Sequence, residues 1–372
     1  MKILIIGSPD SVYIKYYIIK VLLPIKMEVY LSFKKGISTK DKEFYERYGV
    51  TLVGLYEKNG VYGKIPKLST LLCYIRNLKK YTFDGDIDFI QIHYIGNSKL
   101  MKHSYKFLRK YTRCLISTFW GSDILDIDYK RAKQIEGLID VSDKIVLSTS
   151  AMRDKFREYY GEKYDDKIES YLFGNQIIEK SLESKNKDRK KKKRDKFIVS
   201  IGYNGAERQQ HLKVLEQMNS LPYDIKNKIH IVIQMSYGVT DLSYKDRINY
   251  SFSKYSLSGE IIEKYLDIND TIILRENVDL FINSQTTDAL SSSVLEYIYF
   301  GAEVLNPEWI NYKEWKDMGI TYNEYNSFSD LNKYIIKFIN GEIHTDHHKN
   351  ANIIKQNFTW KYNAPHWQRL YK

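Results

Sequence analysis

The residues best suited to chemistry lie in a small polar loop between a predicted strand, 278–283, and a predicted helix, 292–300. The first N–H groups of a helix have no partner within the helix, and the helix dipole adds positive potential there. Both features favour an anion such as a diphosphate, so this loop is a predicted phosphate-binding site. A serine-capped helix with one buried glutamate is the alternative. The predicted contacts in the loop are Ser284, Ala289, Leu290 and Ser291.

Two acidic residues accompany this loop, and seven residues separate them. Glu296 lies one turn inside the helix, where it could accept hydrogen bonds from ribose hydroxyls. Asp288 precedes the helix, and its carboxylate could stabilise positive charge that develops on a bound reactant. Gly301 stands where the helix should stop. Asp288 is therefore a catalytic candidate, and Glu296 a donor-binding one.

A glycine-rich turn between a strand and a helix opens the same half of the chain. Two glycines permit a tight turn and close approach of a ligand. Three side chains at the start of the following helix could neutralise a diphosphate, although a single charge at such a place is more often solvated. The predicted contacts are Gly202, Asn204, Gly205, Arg208, His211 and Lys213, with Ser236 and Tyr237 after the next strand.

The first half of the chain offers acceptor-side candidates at strand ends. His93 ends the predicted strand 89–93 and could donate to a sugar hydroxyl or act as a base, or it is a hydrogen-bonded structural residue. Asp123 could bind an acceptor hydroxyl, serve as the base of an inverting reaction, or cap the following helix. The acceptor-binding candidates are Gly7 and Ser8, in the turn after the first strand, and Trp120.

Short apolar runs alternate with amphipathic stretches, which is the pattern of parallel, doubly wound α/β sheets. Ligands of such sheets bind at the carboxyl ends of strands. We predict two Rossmann-like domains, 1–176 and 197–357, facing a cleft. A basic linker, 177–196, joins them, and a tail, 358–372, could cross back to the first domain. The predicted strands are 2–6, 27–33, 50–55, 89–93, 114–119, 144–148, 196–201, 229–235, 272–274, 278–283 and 303–305.

The net charge of +12 is concentrated, because residues 185–196 alone contribute +7. A solvated linker is the first interpretation of this run, and a contact with the anionic inner membrane surface is the second. A nucleic-acid-binding protein would spread its basic residues over a face, so no nucleic-acid partner is expected.

The 2 cysteines lie far from any ligand partner, and no apolar run reaches the ~20 residues of a membrane span. The sequence therefore predicts a cytoplasmic protein.

The polar loop and its helix resemble the C-terminal signature of GT-B glycosyltransferases, especially the retaining group known as family 4. Asp288, the loop 289–291, Glu296, Gly301 and Val304 fall on that pattern. The resemblance implies the GT-B fold, in which the domain 1–176 binds the acceptor and the domain 197–357 binds the nucleotide sugar. It also implies that Asp288 meets the donor sugar, the loop amides meet the phosphates, and Glu296 meets the ribose.

Three other segments are similar to bacterial Fuc4NAc transferases of enterobacterial common antigen synthesis. They are the turn at 202–205 with the nearby His211, the segment 234–238, and the segment 120–123. The two resemblances imply opposite stereochemical outcomes, so retention and inversion both stay open. Both imply transfer from a nucleoside-diphosphate sugar to a glycan, expected to be lipid-linked, in the synthesis of a bacterial capsule, exopolysaccharide or lipopolysaccharide. Another GT-B enzyme, such as a nucleotide-sugar epimerase, and a non-catalytic sugar-nucleotide-binding protein are the alternatives.

No metal or other cofactor is expected. The triplets 86–88 and 126–128 match the Asp-x-Asp pattern, but both adjoin predicted loops and are interpreted as surface charges. In a metal-independent site, cationic side chains and helix N-termini absorb the charge of the leaving group.

Overall fold

The computed structural model describes seven ranges of the chain: 1–33, 36–55, 57, 69–82, 87–95, 101–183 and 194–372. These residues divide into two compact units. The first contains Met1–Gly174 together with Trp360–Lys372, and the second contains Asn175–Thr359.

Within the described ranges, the first unit is built on a seven-stranded sheet in the order β3-β2-β1-β4-β5-β6-β7, and every paired strand is parallel. Its strands are β1 (Lys2–Ile6), β2 (Glu28–Ser32), β3 (Thr51–Val53), β4 (Ile87–His93), β5 (Thr112–Thr118), β6 (Lys144–Val146) and β7 (Ile168–Glu169). Its helices before the second unit are α1 (Val12–Tyr17), α2 (Thr39–Arg47), α3 (Ser69–Thr82), α4 (Met101–Lys110), α5 (Ser122–Leu125), α6 (Tyr129–Val141) and α7 (Ser150–Tyr160).

The second unit is built on a six-stranded parallel sheet in the order β10-β9-β8-β11-β12-β13. Its strands are β8 (Phe197–Ile201), β9 (Ile229–Gln234), β10 (Gly259–Ile262), β11 (Leu280–Ile282), β12 (Glu303–Pro307) and β13 (Asn323–Tyr325). Its helices are α8 (Gln176–Glu183), α9 (His211–Met218), α10 (Tyr223–Asn227), α11 (Leu242–Lys254), α12 (Ile268–Asn277), α13 (Ser292–Tyr299), α14 (Lys313–Asp317), α15 (Leu331–Ile339) and α16 (His347–Asn357). The predicted class of two doubly wound parallel-sheet units is confirmed.

The last helix of the chain, α17 (Trp360–Gln368), belongs to the first unit. Trp360, Trp367 and Tyr371 are buried in the same core cluster as residues of β1, β2 and α1. The hydroxyl of Tyr371 also bonds to Gln91 of β4. The final aromatic segment therefore packs in the core of the first unit.

The predicted strand 272–274 is wrong, because these residues lie inside α12. The side chain of Asp267 accepts a 2.8 Å hydrogen bond from the N–H of Asp270 and caps the helix. A run of three apolar residues is too short to distinguish a strand from a helix by its period.

The predicted linker 177–196 is a helix at its start. Ile177 and Ile178 of α8 are buried, and their N–H groups donate to Oδ1 of Asn175 at 2.9 and 3.0 Å. Asn175 is thus an N-terminal cap, a role for which asparagine is favoured. Residues 184–193, which carry most of the basic run, lie outside the described residues.

Candidate functional site

The strand order of the second sheet reverses between β8 and β11, which are neighbours although β9 and β10 separate them in sequence. The turn that follows β8, 202–210, and the loop that follows β11, 283–291, therefore leave the same edge of the sheet side by side. Such a switch point is where open α/β sheets bind ligands. The two predicted donor-side segments meet at this position.

Hydrogen bonds join these two segments into one surface. The N–H of Gly202 donates to the carbonyl of Ile282 at 3.0 Å, and the N–H of Thr286 donates to the carbonyl of Arg208 at 3.1 Å. The side chain of Gln210 donates to the carbonyl of Ser284 at 2.7 Å. Ser284 is buried, and its hydroxyl donates to the carbonyl of Gln209. Its predicted contact with a ligand would require this hydroxyl to leave the loop.

Glycine is required at both predicted positions of the turn after β8. Gly202 has a φ of +63°, and a Cβ there would stand 2.7 Å from Nε2 of His211. A Cβ on Gly205 would stand 2.3 Å from a methyl carbon of Val239. The turn is further fixed by Asn204, whose side-chain oxygen accepts from the N–H of Ala206 at 2.9 Å.

Two of the three predicted cations of this turn keep their charge at the surface. The side chain of Arg208 is exposed, and its positive charge partly opposes the rise that burial causes in the pKa of Asp288. Lys213 is exposed, and its ammonium group donates to the side chain of Gln210 at 2.7 Å.

His211 does not supply the positive charge that the sequence suggested. Its side chain is fully buried, and burial lowers its pKa to about 3. The ring is therefore neutral near pH 7. Nδ1 lies 3.1 Å from the hydroxyl of Tyr244, while Nε2 has no hydrogen-bond partner among the described residues.

The segment after β9 contributes one polar and one aromatic side chain. Ser236 is partly buried and its hydroxyl accepts from the side chain of Gln234 at 3.2 Å. Tyr237 is 49% exposed, and its carbonyl accepts the N–H of Gly205 at 2.8 Å. The predicted contacts after β9 therefore adjoin the glycine turn.

The start of α13 is capped by a serine, which is the alternative that the sequence left open beside a phosphate-binding site. The hydroxyl of Ser291 accepts from the N–H of Val294 at 3.3 Å. Ala289 is buried and Leu290 is partly buried, so these two residues can offer a ligand their backbone more readily than their side chains. The positive end of the α13 dipole lies at the switch point.

Asp288 is partly buried beside two tyrosines that the sequence did not single out. Its Oδ2 accepts from the hydroxyl of Tyr312 at 2.9 Å and from that of Tyr203 at 3.3 Å. The Tyr203 hydroxyl lies closer, at 2.7 Å, to the side-chain oxygen of Gln285. Burial raises the pKa of Asp288 to about 6, against the opposing effect of these hydrogen bonds. Asp288 can therefore change its charge close to neutral pH.

Glu296 has internal partners instead of an open position for ribose. It is 4% exposed, and its two oxygens accept from Nδ2 of Asn175 at 3.0 Å and from Nε of Arg275 at 3.2 Å. Arg275 is itself buried and donates to the hydroxyl of Tyr297 at 2.6 Å. In this structure Glu296 joins α13 to α12 and to the cap of α8, which is the alternative that the sequence left open.

The first sheet has its own switch point, between β1 and β4, and Gly7 and His93 stand there. A Cβ on Gly7 would lie 3.6 Å from Cβ of His93. Ser8 is exposed and donates to the side chain of Asp10 at 2.5 Å. Gly7 thus lies beside the histidine, where a Cβ would press on Cδ1 of Ile14 at 3.1 Å, and Ser8 faces solvent.

The indole N–H of Trp120 donates to Nδ1 of His93 at 3.3 Å, so the proton of a neutral ring is on Nε2. His93 is 3% exposed, and burial lowers its pKa to about 3. Nε2 has no partner among the described residues. The ring can therefore donate one hydrogen bond, whereas the general-base role needs a free lone pair on this atom.

Asp123 is a structural residue of the loop after β5, not an open base. Its Oδ1 accepts from the N–H of Trp120 at 2.8 Å and that of Gly121 at 3.1 Å, and its Oδ2 accepts from the N–H of Ile95 at 2.8 Å. It is 3% exposed, and burial raises its pKa to about 6. The predicted acceptor contact would have to displace these bonds.

No group of three or more His, Cys, Asp or Glu side chains in the described ranges could hold a metal ion. Asp128 of the second Asp-x-Asp triplet caps α6 through the N–H of Arg131 at 2.7 Å. Asp86 of the first triplet lies outside the described residues. Among the helices that the structure describes, none has the length and hydropathy needed to cross a membrane.

No family model matches the chain. An uncharacterized glycosyltransferase of Methanocaldococcus jannaschii is 24% identical over 315 residues, which cover 78% of this chain and 76% of the relative. The solved structure of Anabaena HepE in complex with UDP and glucose has a TM-score of 0.73 at 12% identity and covers 100% of this chain and 99% of its own. The structure of the lipopolysaccharide outer core galactosyltransferase WaaB has a TM-score of 0.65 at 11% identity, and the match covers 99% of this chain and 98% of the WaaB chain.

These similarities confirm the resemblance at its coarser level, while the finer resemblances to family 4 and to Fuc4NAc transferases stay predictions. This chain has the GT-B fold and is similar to GT-B glycosyltransferases.

Proposed function

We propose that this protein is a glycosyltransferase that moves a sugar from a nucleoside-diphosphate sugar to a glycan. One observation carries the proposal: the turn 202–210 and the loop 283–291 are hydrogen-bonded to each other at the switch point of the second sheet, where α13 begins. This arrangement supplies a glycine turn, a helix N-terminus and an exposed arginine at one place. Those are the features that bind a diphosphate.

In the proposed reaction, an acceptor hydroxyl oxygen bonds to the anomeric carbon as the bond to the diphosphate breaks, and the hydroxyl proton passes to the leaving diphosphate or to water. The start of α13 and Arg208 offset the negative charge that develops on the diphosphate. Asp288, ionised above about pH 6, stabilises positive charge on the sugar ring. The reaction requires no metal in this proposal, because fixed cationic groups stabilise the charge of the leaving diphosphate. The complexes of HepE with UDP and glucose support a nucleotide-sugar donor.

On the acceptor side, we assign to His93 the role of a neutral hydrogen-bond donor through Nε2. The proposed acceptor is a lipid-linked glycan at the inner face of the cell membrane, in the synthesis of a bacterial surface polysaccharide. The similarity to WaaB, a lipopolysaccharide galactosyltransferase, supports this class of acceptor, and the basic segment 185–196 supplies the charge for contact with anionic lipid.

The test is binding to a panel of UDP-, TDP- and GDP-sugars in the presence of EDTA, measured by thermal shift and calorimetry. We expect one nucleotide class to raise Tm, and Arg208→Ala to weaken its binding about 10-fold because a charge-assisted hydrogen bond is lost. Arg47→Ala is the matched control, since Arg47 is an exposed arginine of α2 in the first unit.

A chain that binds none of these ligands would contradict the proposal. A response that appears only when a divalent cation replaces EDTA would contradict its metal-independent form. Product NMR with the identified donor then decides between retention and inversion.

A further inference from the structure

The loop after β12 forms a wall of the candidate donor site that the sequence did not indicate. β12 is the neighbour of β11 in the sheet, so residues 308–312 leave the sheet beside the loop 283–291. The two loops are bonded at two points. The indole N–H of Trp309 donates to the carbonyl of Gln285 at 2.9 Å, and the hydroxyl of Tyr312 donates to Asp288 at 2.9 Å.

Trp309 is both exposed and fixed. Its side chain is 43% exposed, which leaves a large apolar surface in water. Its ring centroid lies 5.5 Å from that of Tyr325, edge to face, and 5.6 Å from that of Phe328. These two rings and the bond to Gln285 restrict the rotamer of the indole, so little conformational entropy would be lost when a ligand stacks on it.

A second exposed aromatic side chain, Tyr237, follows another strand of the same sheet. Tyr237 follows β9, and Trp309 follows β12. The strands β9, β8, β11 and β12 are consecutive in the sheet, so at a spacing of about 4.8 Å these two strands are roughly 14 Å apart. A diphosphate bound at the start of α13 would have one flanking aromatic residue on each side.

The groups near Trp309 suit a ligand with many hydroxyls. The carboxylate of Asp288 accepts hydrogen bonds, and the hydroxyls of Tyr203 and Tyr312 already lie on it. The C–H face of a sugar ring can cover an indole face while its hydroxyls bond to such neighbours. Tyr237 lies beside the glycine turn instead: its carbonyl accepts the N–H of Gly205, and its side chain is 49% exposed, so a planar nucleobase can stack on the exposed part of the ring.

Resting on the proposed function, we propose that Trp309 is a specificity-determining residue on which the donor sugar stacks, while the nucleoside lies on the side of Tyr237. The indole then contributes to the affinity for the intact sugar nucleotide and nothing to that for the sugar-free nucleotide.

The experiment compares UDP with UDP-glucose, TDP with TDP-glucose and GDP with GDP-mannose by calorimetry, using wild type, Trp309→Ala and Trp309→Phe. We expect Trp309→Ala to weaken binding of the sugar nucleotide at least 5-fold and binding of the matching nucleoside diphosphate less than 2-fold, because only the sugar loses its stacking partner. Trp309→Phe keeps a ring but loses the bond to Gln285, so it should lie between wild type and alanine. Tyr223→Ala is the control, since Tyr223 is 78% exposed on α10.

An equal loss for both members of a pair would overturn the proposal, because it would place the nucleoside at Trp309. Unchanged affinity for both would overturn it as well. If wild type binds none of the six ligands, the proposed function itself fails, so the two failures are distinguishable. Circular dichroism of each variant confirms that the fold is retained before binding is measured.

Discussion

The hydroxyl of Tyr312 donates a 2.9 Å hydrogen bond to Oδ2 of Asp288 and so joins the loop after β12 to the loop before α13. Tyr312 is fully buried, whereas Asp288 is only partly so. The carboxylate is thus held from the protein side by a hydroxyl that cannot turn toward water. Its orientation is fixed before any ligand arrives, which is the arrangement that electrostatic stabilisation of a transition state needs.

Replacement of Asp288 should raise stability and lower activity. The folded unit holds the pKa of Asp288 at about 6, above the ordinary value of 3.8. The folded state therefore binds the proton more tightly than the unfolded state, and this group makes stability fall as pH rises from about 4 to 6. We expect Asp288→Asn to raise the free energy of unfolding by about 1–2 kcal/mol at pH 7.5 and to change it little at pH 4. Urea denaturation at the two pH values measures both effects.

The control for this prediction is Asp246→Asn, which changes an exposed carboxylate. It should leave unfolding at either pH within about 0.5 kcal/mol of wild type. If Asp288→Asn lowers the free energy of unfolding at pH 7.5, the buried carboxylate stabilises the fold, and the prediction is contradicted.

Loss of Glu296 should destabilise the second unit, because it would leave the buried guanidinium of Arg275 without its anion. We expect Glu296→Ala to cost about 3–5 kcal/mol in urea denaturation. The double variant Arg275→Met, Glu296→Leu should recover at least half of that cost, since it removes both charges and keeps the volume. Glu296→Gln keeps a side-chain oxygen for Asn175 and separates any effect on nucleotide binding from the effect on folding. If Glu296→Ala and wild type unfold at the same urea concentration, this ion pair does not support the fold.

Gly202→Ala should destabilise the second unit by more than the cost of placing an alanine in a left-handed backbone conformation. Gly49 and Gly202 have nearly the same φ, +68° and +63°, but a Cβ at Gly49 would meet nothing within 4 Å. Gly49→Ala therefore measures the cost of a left-handed alanine, about 1–2 kcal/mol. Gly202→Ala adds the approach to His211, so we expect a larger loss of stability and weaker nucleotide binding. Equal losses in the two variants would mean that His211 moves aside without cost.

His93 and His211 should remain neutral where ordinary histidines become charged. Burial lowers the pKa of each ring to about 3, so below about pH 6.5 the unfolded chain binds protons that the folded chain does not. The stability that the two neutral rings contribute is therefore lost as pH falls from about 6.5 toward 3. Nitrogen-15 NMR of labelled histidines at pH 5 should show two neutral rings, with the ring of His93 carrying its proton on Nε2. His93→Gln should remove one of these signals, and His344→Gln should remove neither. A His93 ring that is protonated on both nitrogens at pH 5 would contradict the neutral tautomer that the Trp120 bond implies.

Local signals explain why much of the fold was predictable from the sequence. β1 was predicted with its observed bounds, because an apolar, β-branched run is followed by a glycine and a proline. The short edge strands β7, β10 and β13 lack such a run and were missed. The segment 272–274 was misassigned because the cap that starts α12 lies at Asp267, before the apolar residues.

The candidate site was predictable only as positions along the chain. Strand ends could be recognised, so the two loops of the second unit were found. The state of each side chain depends on contacts far away in sequence. Glu296 is paired with Arg275, 21 residues earlier, and Asn175, 121 residues earlier. Tyr203 contacts Asp288 across 85 residues. No local pattern encodes these pairings, because they arise when helices pack on the sheet.

The return of α17 to the first unit has a consequence for synthesis on the ribosome. The second unit is continuous in sequence, whereas the first unit consists of two stretches that flank it. The second unit can therefore complete its core while the first still lacks the buried side chains of Trp360, Trp367, Leu370 and Tyr371. Until those residues emerge, the apolar faces of β1, β2 and α1 stay partly uncovered, and the nascent chain is most prone to aggregation in that interval.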